Sequence, residues 1–405
     1  MIMNEMYPNR APRNEGMAPM MERQRPAPKK APKAKKQKTG TAGRVIRRTL
    51  LMFFTIIFLL VGALCMVLNQ LLNSPYEEVN AQMVMTLLEP SGTKWIPALF
   101  KGQEAVDAIR NDEGVQLPDD LPAEAPVEVN FDTASADSDE WKNYPDGIRI
   151  EEYKGMNFTA HIMIIRDPSQ VYMATSTPGA FSTSIPGTRI TEQIETEGAI
   201  AAINAGAFND DGTAGSYVGS IPAGLLVAGG VVRSNTYHDL VPEEGFVGFD
   251  QDNKLHVADK MTKAEAEALG IRDGCEFGPV LIQDGKVNQK TYNSNSGRNP
   301  RTAIGQRADG AVIFLCIDGR QADSLGGTYS EIIDLMLEYG AVNACNMDGG
   351  SSSVMLYRDQ YGRYDGDDQR QRFDDNVVMI NTYPLLQTEP RRMPTFFMVR
   401  PAEEG

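Results

Sequence analysis

The chain has 405 residues, of which 41% are apolar, a size that can bury the core of one large domain or two modest ones. Its formal net charge of −15 is unevenly distributed, because residues 1–48 carry thirteen Lys/Arg against three Asp/Glu. The rest of the chain is therefore strongly acidic, which argues against nucleic acid as a partner of the folded part.

A basic leader and an apolar run form the N-terminal part of the chain. Residues 1–48 are rich in Pro and Lys, which predicts a disordered cytoplasmic leader that is attracted to anionic lipid headgroups. Residues 49–68 carry no charge, and a helix of this length matches the ~30 Å hydrocarbon thickness of a bilayer. Three arginines lie close before this run, so we expect an uncleaved anchor at 49–72 in the lipid bilayer, with the N-terminus cytoplasmic and the C-terminal part extracytoplasmic at the cell membrane.

Residues 73–145 are predicted to form a helical and acidic stalk. Residues 74–88 combine Pro near the start, early acidic residues and apolar residues at helical spacing, which predicts a helix. One or two short helices are expected at 95–110. Residues 111–140 contain ten acidic and no basic residues together with three prolines, a composition typical of a linker.

A single globular domain is predicted at 146–400, where alternating apolar runs replace the acidic linker. Consecutive strands are expected at 147–155, 158–167 and 169–176, followed by a helix at 191–196 and further strands. No internal repeat is visible. The predicted fold class is α/β in the mixed α+β sense: a mixed β-sheet with flanking helices and an embedded strand–helix–strand unit, preceded by one transmembrane helix.

Cysteine usage argues against a disulfide framework. Cys65 lies in the apolar run, which leaves Cys275, Cys316 and Cys345 for the exported part and allows at most one bridge. Buried thiols are favoured, although a bridge between Cys316 and Cys345 stays open.

The strand–helix–strand unit spans residues 311–346. The apolar run AVIFLCI is followed by a helix at 329–339 and then by the buried strand AVNACN. If the two strands are parallel, Asp318 and Asp348 follow their carboxyl ends at the same edge of the sheet, and both carboxylates face one crevice. A glycine follows each aspartate, which would permit positive φ and close approach of the backbone to a ligand.

Five segments resemble, in order and spacing, those of the phosphodiester glycosidase family: NAGAF (204–208), FGPVLIQDGK (277–286), NPRTAIG (299–305), DGRQADSLGGTYSE (318–331) and NMDGGSSSVM (346–355). The resemblance covers residues 147–399 and implies cleavage of a sugar-1-phosphate diester. Two positions depart from the family pattern, since Ala207 precedes Phe208 and Ser351 takes the place of a third glycine. The class of chemistry is therefore implied more strongly than the sugar.

Three acids are candidate catalytic residues. Cleavage at the anomeric carbon C1 of the sugar needs a carboxylate that stabilises an oxocarbenium-like transition state. Asp348 is the first candidate, as nucleophile or as base for water, with ordering of its own loop as the structural alternative. Asp318 could belong to the site or to a turn. Glu331 stands three residues after Thr328, so a helix capping box is an alternative to catalysis.

Arg301 and Arg320 are the candidate phosphate ligands, because the planar guanidinium matches two phosphate oxygens at once. Structural ion pairs are the alternative for both. Asn204 could hydrogen-bond a sugar hydroxyl or could simply suit a turn, and successive amides and hydroxyls after Asp348 could bind an anion. The other predicted substrate-binding residues are Gly278, Gly349, Gly350, Ser351 and Ser352.

The sequence thus predicts an enzyme without a cofactor and without metal ligands among its candidate site residues, although a divalent-ion requirement stays open, and it predicts a sugar-phosphate or glycan substrate of the cell envelope or an exopolysaccharide. No G-x-S-x-G motif and no close pair among the three histidines supports a serine hydrolase or a zinc site. Two other functions stay open. One is a non-catalytic scaffold that binds anionic glycans, and the other is a phosphodiesterase that acts at phosphorus.

Overall fold

The computed structural model describes residues 41–88, 92–110, 129–131, 139–209, 218–236, 245–364, 370–373, 376–383 and 389–402. The chain divides into two compact units, Met1–Ala63 and Leu64–Gly405. The first 40 residues of the predicted leader and most of the predicted acidic linker, at 111–128 and 132–138, lie outside the described residues.

Eight α-helices lie within the described residues: α1 Thr41–Leu72, α2 Glu77–Leu88, α3 Trp95–Lys101, α4 Gln103–Arg110, α5 Ile190–Glu197, α6 Lys263–Ala268, α7 Gln289–Tyr292 and α8 Tyr329–Glu338. The segment Gly43–Leu72 of α1 is long and apolar enough to cross a membrane and contains the predicted anchor. The helices predicted at 74–88, 95–110, 191–196 and 329–339 are confirmed within a few residues, with α3 and α4 dividing the second of them.

Nineteen strands are described: β1 Ile148–Lys154, β2 Thr159–Ile165, β3 Val171–Thr175, β4 Thr188–Arg189, β5 Ala201–Asn204, β6 Gly224–Ala228, β7 Val231–Thr236, β8 Phe246–Asp250, β9 Leu255–Ala258, β10 Ile271–Glu276, β11 Val280–Gln283, β12 Lys286–Val287, β13 Arg301–Arg307, β14 Val312–Ile317, β15 Ala341–Met347, β16 Met355–Arg358, β17 Val377–Met379, β18 Arg392–Met393 and β19 Thr395–Val399.

These strands form three larger sheets and one small ribbon. The sheets have the orders β1-β2-β14-β13-β15-β11-β12, β7-β6-β10-β8-β9 and β17-β16-β5-β19-β3, and the ribbon pairs β18 with β4. The predicted mixed α+β class is confirmed. The sheet itself differs from the prediction, because the described strand pairs are antiparallel throughout instead of mixed.

The two strands of the strand–helix–strand unit run in the same direction but are not neighbours. β13 lies between β14 and β15 and is antiparallel to both. Arg301 pairs with Ile317, and Thr302 pairs with Met347, so the start of β13 lies beside the ends of the other two strands. Asp318 and Asp348 therefore follow strands that end at one edge of the sheet, as expected, and Arg301 begins its strand at the same edge.

Both faces of the seven-stranded sheet are covered, which explains the uninterrupted apolar run in β14. Phe314 belongs to a core shared by the three larger sheets, which also contains Phe249 and Phe397. Ile313 and Leu315 point to the opposite face and pack in a second core with residues of α8. Successive side chains of a strand alternate between faces, so every residue of β14 is buried.

The three cysteines of the folded part are free and buried. Cys316 pairs with Thr302, and Cys345 pairs with Ile304, so β13 separates the two thiols that the sequence left open to bridging. Burial raises the pKa of Cys275, Cys316 and Cys345, which keeps these thiols protonated and unreactive.

Candidate active site

A crevice of about 630 Å³ opens at the edge of the seven-stranded sheet where β14 and β15 end. Four of the five family-like segments contribute to its walls. The described residues that line it are Met85, Lys94, Ile109, Arg110, Phe277, Ser294, Asn295, Ser296, Arg301, Arg320, Tyr329, Asn346, Asp348, Gly349, Gly350, Ser351 and Arg391.

The walls of this crevice are strongly cationic, although the chain as a whole is acidic. Among the described lining residues, five are Lys or Arg and one, Asp348, is an acid. A concave surface with one sign of charge focuses its field and concentrates ions of the opposite sign. The crevice is therefore suited to an anion that is bound next to a single carboxylate.

Asp348 lies where two sheets meet. Its backbone N–H donates to the carbonyl of Ala205 at 3.1 Å, and its own carbonyl accepts from Nδ2 of Asn204 at 2.6 Å. Asn204 is fully buried, and its Oδ1 accepts from Thr302 Oγ1 at 2.9 Å and from the N–H of Val354 at 3.1 Å. Asn204 is not among the described residues that line the crevice, and its side-chain contacts favour a role in positioning Asp348 over the predicted contact with a sugar.

The glycines that follow the two aspartates provide room for protein backbone instead of a ligand. A Cβ on Gly319 would lie 2.6 Å from the Pro300 nitrogen, and one on Gly349 would lie 2.8 Å from the Pro300 carbonyl oxygen. The N–H of Gly350, a residue with φ of +61°, donates to that same carbonyl at 2.8 Å. Both loops thus pack tightly on Pro300, which fixes the floor of the crevice.

Tyr383 ties the loop after Asp348 to the C-terminal part of the domain. Its hydroxyl donates to the carbonyl of Ser351 and accepts from the N–H of Arg391 at 3.2 Å. Burial raises the pKa of Tyr383, and the Asp348 carboxylate adds to this effect, so the phenol stays protonated and can keep donating. Ser351 lines the crevice, whereas Ser352 is buried and is not a lining residue.

Arg301 is held rigidly at the crevice wall. Its Nη2 donates to the carbonyl of Gly297 at 2.8 Å, its Nε donates to the carbonyl of Gly327 at 3.3 Å, and its Nη1 donates to the Tyr329 hydroxyl at 3.3 Å. The guanidinium carbon lies 4.4 Å from the centre of the Tyr329 ring, a cation–π distance. A fixed cation of this kind needs little reorganisation when it binds an anion.

Arg320 has an unfavourable backbone conformation. Its φ is +59°, in the left-handed region that residues with a side chain rarely adopt. Its Nη2 donates to Oδ1 of Asn299 at 3.2 Å, and its side chain packs over Gly350. Strained residues of this kind cluster at functional sites, where the surrounding structure holds them.

Comparing Arg320→Gly with Arg320→Ala separates the strain at this position from the function of the side chain. Both substitutions remove the guanidinium, and only the alanine keeps the left-handed strain of about 1 kcal/mol. We expect the glycine variant to have the higher free energy of unfolding by about that amount, and both variants to lose about 10²-fold in kcat/KM. Urea denaturation and kinetics on the same preparations check this, and an alanine variant at least as stable as the glycine variant would contradict it.

Asp318 is buried behind the crevice and does not line it, contrary to the expectation that two carboxylates face one cavity. Its Oδ2 lies 3.0 Å from Nε2 of His161, and its Oδ1 accepts from the N–H of Thr382 at 2.8 Å. Its backbone carbonyl accepts from Ser324 Oγ at 2.7 Å. These contacts tie three segments together and use both carboxylate oxygens, so the geometry favours the structural alternative.

Asp318→Ala is expected to lower the free energy of unfolding by about 3 kcal/mol, because it leaves the buried His161 ring without its partner and removes the acceptor of the Thr382 N–H. Urea denaturation of the full chain in detergent measures this. Asp323→Ala, at an exposed position of the same loop, is the matched control and is expected to change stability by less than about 0.5 kcal/mol. Equal stabilities of the two variants would show that Asp318 has no structural role.

Glu331 caps α8 and holds Arg298. Its Oε2 accepts from the N–H of Thr328 at 2.9 Å, and Thr328 Oγ1 accepts from the N–H of Glu331 at 3.3 Å, which completes the capping box. Its two carboxylate oxygens also accept from Arg298 Nη1 and Nη2 at 2.8 and 2.9 Å. Glu331 is not a lining residue, so its contacts match the capping role and not the catalytic one.

Asn346 is a lining residue that sequence reasoning missed. It is 2% exposed, its Nδ2 donates to the carbonyl of Gly278 at 2.8 Å, and its Oδ1 has no hydrogen-bond partner among the described residues. It lies near the end of β15, two residues before Asp348, and a polar side chain this close to a candidate acid at the end of a buried strand is the signal that could have identified it. Gly278 contributes its carbonyl to this contact. Phe277, Tyr329 and Arg391 were also missed.

The described residues contain no group of three or more His, Cys, Asp or Glu side chains that could hold a metal ion. The crevice combines one carboxylate, guanidinium groups and aromatic side chains. Guanidinium groups that are held in place suit the binding of an anion with several oxygens.

The fold and this crevice define a domain that is built around an anion site with one carboxylate. A family model described as phosphodiester glycosidase matches residues 197–400, and the chain belongs to this family. The match begins after β4, whereas β1 and β2 are part of the same seven-stranded sheet as β13 to β15.

Comparison with known proteins gives one similar sequence and two similar solved structures, as follows. The SPbeta prophage-derived uncharacterized protein YomE of Bacillus subtilis is 32% identical over 125 residues, which are 30% of this chain and 19% of that protein. The chain therefore spans about a fifth of the curated relative that it matches. The catalytic domain of zebrafish N-acetylglucosamine-1-phosphodiester alpha-N-acetylglucosaminidase, auto-inhibited by its pro-peptide, aligns with a TM-score of 0.48 at 17% identity over 64% of this chain and 85% of that one. A hypothetical protein from Synechocystis aligns with a TM-score of 0.47 at 14% identity over 64% and 63% of the two chains.

Proposed function

We propose that this protein is a membrane-anchored, extracytoplasmic hydrolase that cleaves the glycosidic C1–O bond of a sugar-1-phosphate diester in a cell-envelope or exopolysaccharide glycan. One observation carries the proposal: a single described carboxylate, Asp348, shares the crevice with five cationic side chains. The chain's membership of the phosphodiester glycosidase family supports the same class of chemistry.

Asp348 acts at the sugar. As the C1–O bond breaks, positive charge develops at C1 and the ring oxygen, and a carboxylate beside C1 lowers the energy of this state. Water supplies the new oxygen at C1, and the bridging oxygen leaves with the phosphate. The products are the free sugar and a phosphate monoester. Asp348 either attacks C1 itself or removes a proton from the water, and the anomer that is released first distinguishes the two.

Arg301 and Arg320 act at the phosphate. The leaving group is a phosphate monoester whose second pKa is ~6, so it departs without a strong general acid at neutral pH. Charge that develops on its oxygens is stabilised by guanidinium groups that are already in place. A mechanism with one carboxylate at the sugar and two arginines at the phosphate needs no second acid, which is consistent with the contacts of Asp318 with His161 and of Glu331 with Arg298.

The aromatic side chains of the crevice are suited to the sugar. Phe277 and Tyr329 offer apolar surface for the ring, and Asn346 supports the wall beside them through the bond from its Nδ2 to the Gly278 carbonyl. Ser351 lines the crevice at a position where the family pattern has glycine, and its larger, polar side chain supports a sugar preference that differs from that of other members.

Membrane anchoring and topology rest on the apolar part of α1 and on the three arginines in its first turns. Gly43–Leu72 has the length and composition of a span, and the three arginines at its N-terminal side predict a cytoplasmic N-terminus. A reporter that is active only outside the cytoplasm, fused after residue 405, tests this orientation. An active reporter supports it, and an inactive one contradicts it.

The decisive experiment is a panel of synthetic sugar-1-phosphate diesters, incubated with the full chain in oxygen-18 water. Label in the released sugar identifies C1–O cleavage and supports the proposal. Label in the phosphate identifies attack at phosphorus, and tight binding without products identifies a glycan-binding scaffold. Either of the last two results would overturn the proposed reaction.

A further inference from the structure

The helices that follow the membrane segment form a small folded layer. α2, α3 and α4, hereafter the membrane-proximal helices (residues 77–110), share a core with the last residue of α1, and Leu72, Val84 and Val106 are almost completely buried in it. A stalk that only spaces a domain from the membrane needs no such core. The packing therefore indicates a fixed element instead of a spacer.

The membrane-proximal helices pack directly on the loop that supports Arg301. A Cβ on Gly297 would lie 2.4 Å from the backbone nitrogen of Thr86, so the backbone of α2 is in close contact with this loop. The N–H of Arg298 donates to Thr86 Oγ1 at 3.0 Å. The Gly297 carbonyl in turn accepts from Arg301 Nη2 at 2.8 Å. The position of α2 is thus coupled to the predicted phosphate ligand.

Four side chains of this layer line the crevice itself. Met85 and Ile109 provide apolar surface, and Lys94 and Arg110 provide positive charge. Lys94 and Arg110 are exposed, and neither forms an ion pair with a described residue. Two cations that are directed to the same cavity and have no acidic partner in the described part of the chain are available to an anionic ligand.

We infer that the membrane-proximal helices are part of the substrate-binding site, and that Lys94 and Arg110 bind a second phosphate of a polymer with repeating sugar phosphodiesters. This inference rests on the proposed function and specifies its substrate class. One scissile phosphate is served by Arg301 and Arg320, so a further cationic pair is more than a single diester needs. A polymer supplies its next phosphate at a fixed spacing along the chain, where this second pair can bind it.

Binding, measured with the Asp348→Asn substitution present in every protein so that the ligands stay intact, tests the inference. The full chain in a phosphate-free maltoside detergent is titrated with two fluorescent ligands: a tetramer of N-acetylglucosamine-1-phosphate units and the methyl diester of one unit. The variant is Lys94→Ala/Arg110→Ala. The control is Lys260→Ala/Lys286→Ala, which removes the same charge from exposed positions outside the crevice.

The variant is expected to raise the Kd of the tetramer about tenfold at low salt and that of the single diester less than twofold, because each partly exposed cation–phosphate contact contributes modestly. The tenfold difference should shrink as salt is added. The control should match the protein that carries Asp348→Asn alone on both ligands.

Equal losses for both ligands, no loss for the tetramer, or tighter binding by the variant would each overturn the inference; tighter binding would indicate that these helices obstruct the crevice. If the wild-type enzyme hydrolyses neither ligand, the proposed function is overturned. The inference about Lys94 and Arg110 is still tested in that case, because the loss of affinity for the tetramer can be compared with the loss for the single diester.

Discussion

Asp348→Asn is expected to lower kcat on a sugar-1-phosphate diester by about 10³-fold or more, the largest effect of any single substitution in the crevice. The amide has nearly the shape of the carboxylate but can neither attack C1 nor balance the positive charge that develops there. The backbone contacts of residue 348 with Ala205 and Asn204 do not involve the side chain, so the fold should persist. Steady-state kinetics and thermal unfolding of the same preparation measure both effects.

The matched control for this substitution is Asp323→Asn. Asp323 is an exposed acid in the loop after β14 and is not a lining residue of the crevice, so the control makes the same chemical change without touching the site. We expect it to keep wild-type kcat within about twofold. Full activity of Asp348→Asn would rule out the mechanism proposed for the carboxylate.

Arg301→Lys is expected to lower kcat/KM by about 10²-fold while the positive charge is kept. Lysine is a compact point charge without the planar fork, so it cannot hold the Gly297 and Gly327 carbonyls and still present donors to a phosphate. The loss should be concentrated in kcat, because the charge on the leaving group grows as the bond breaks. Kinetics on a single diester measure it.

Arg307→Lys provides the comparison for this variant. Arg307 lies at the opposite end of the same strand and pairs with Glu140 and Asp309, with Nη1 of Arg307 2.7 Å from Glu140 Oε1. The same substitution there should cost some stability and change kcat/KM less than about twofold. A lysine at 301 that retains full activity would mean that charge alone suffices and that the rigid guanidinium geometry is unimportant.

Local elements could be predicted because the sequence signals for them are local. The capping box of Thr328 and Glu331 forms as its spacing predicts, and the apolar run of β14 is buried on both sides. The approach of Arg301, Arg320 and Asp348 to one crevice could also be predicted, since strand direction alone places the ends of β14 and β15 at one edge. Their roles in catalysis stay predictions.

The partners of individual side chains could not be predicted, because they depend on segments that are distant along the chain. Asp318 is engaged by His161, which is 157 residues away, and no local pattern distinguishes such a contact from a catalytic position. Asn204 is likewise engaged by residues of two other segments. The glycines after the aspartates were expected to face a ligand, but the adjacent Pro300 backbone occupies that space.

The contact of the membrane-proximal helices with the crevice could not be predicted either, because it also depends on tertiary packing. Sequence composition assigns residues 73–145 to a stalk, since short helices and an acidic linker resemble a spacer. Only tertiary packing, visible at the contact between Gly297 and Thr86, reveals that part of this region reaches the crevice.

Two sheets meet at Asp348, so ligand binding in the crevice is coupled to the stability of the whole domain. The residue directly follows β15 of the seven-stranded sheet, and its backbone hydrogen-bonds Asn204 at the end of β5, in a separate sheet, and the adjacent Ala205. If the two layers come apart, the binding geometry is lost. A bound sugar phosphate should therefore raise the melting temperature of the entire domain in a dose-dependent way, and this offers a turnover-free screen for the natural glycan.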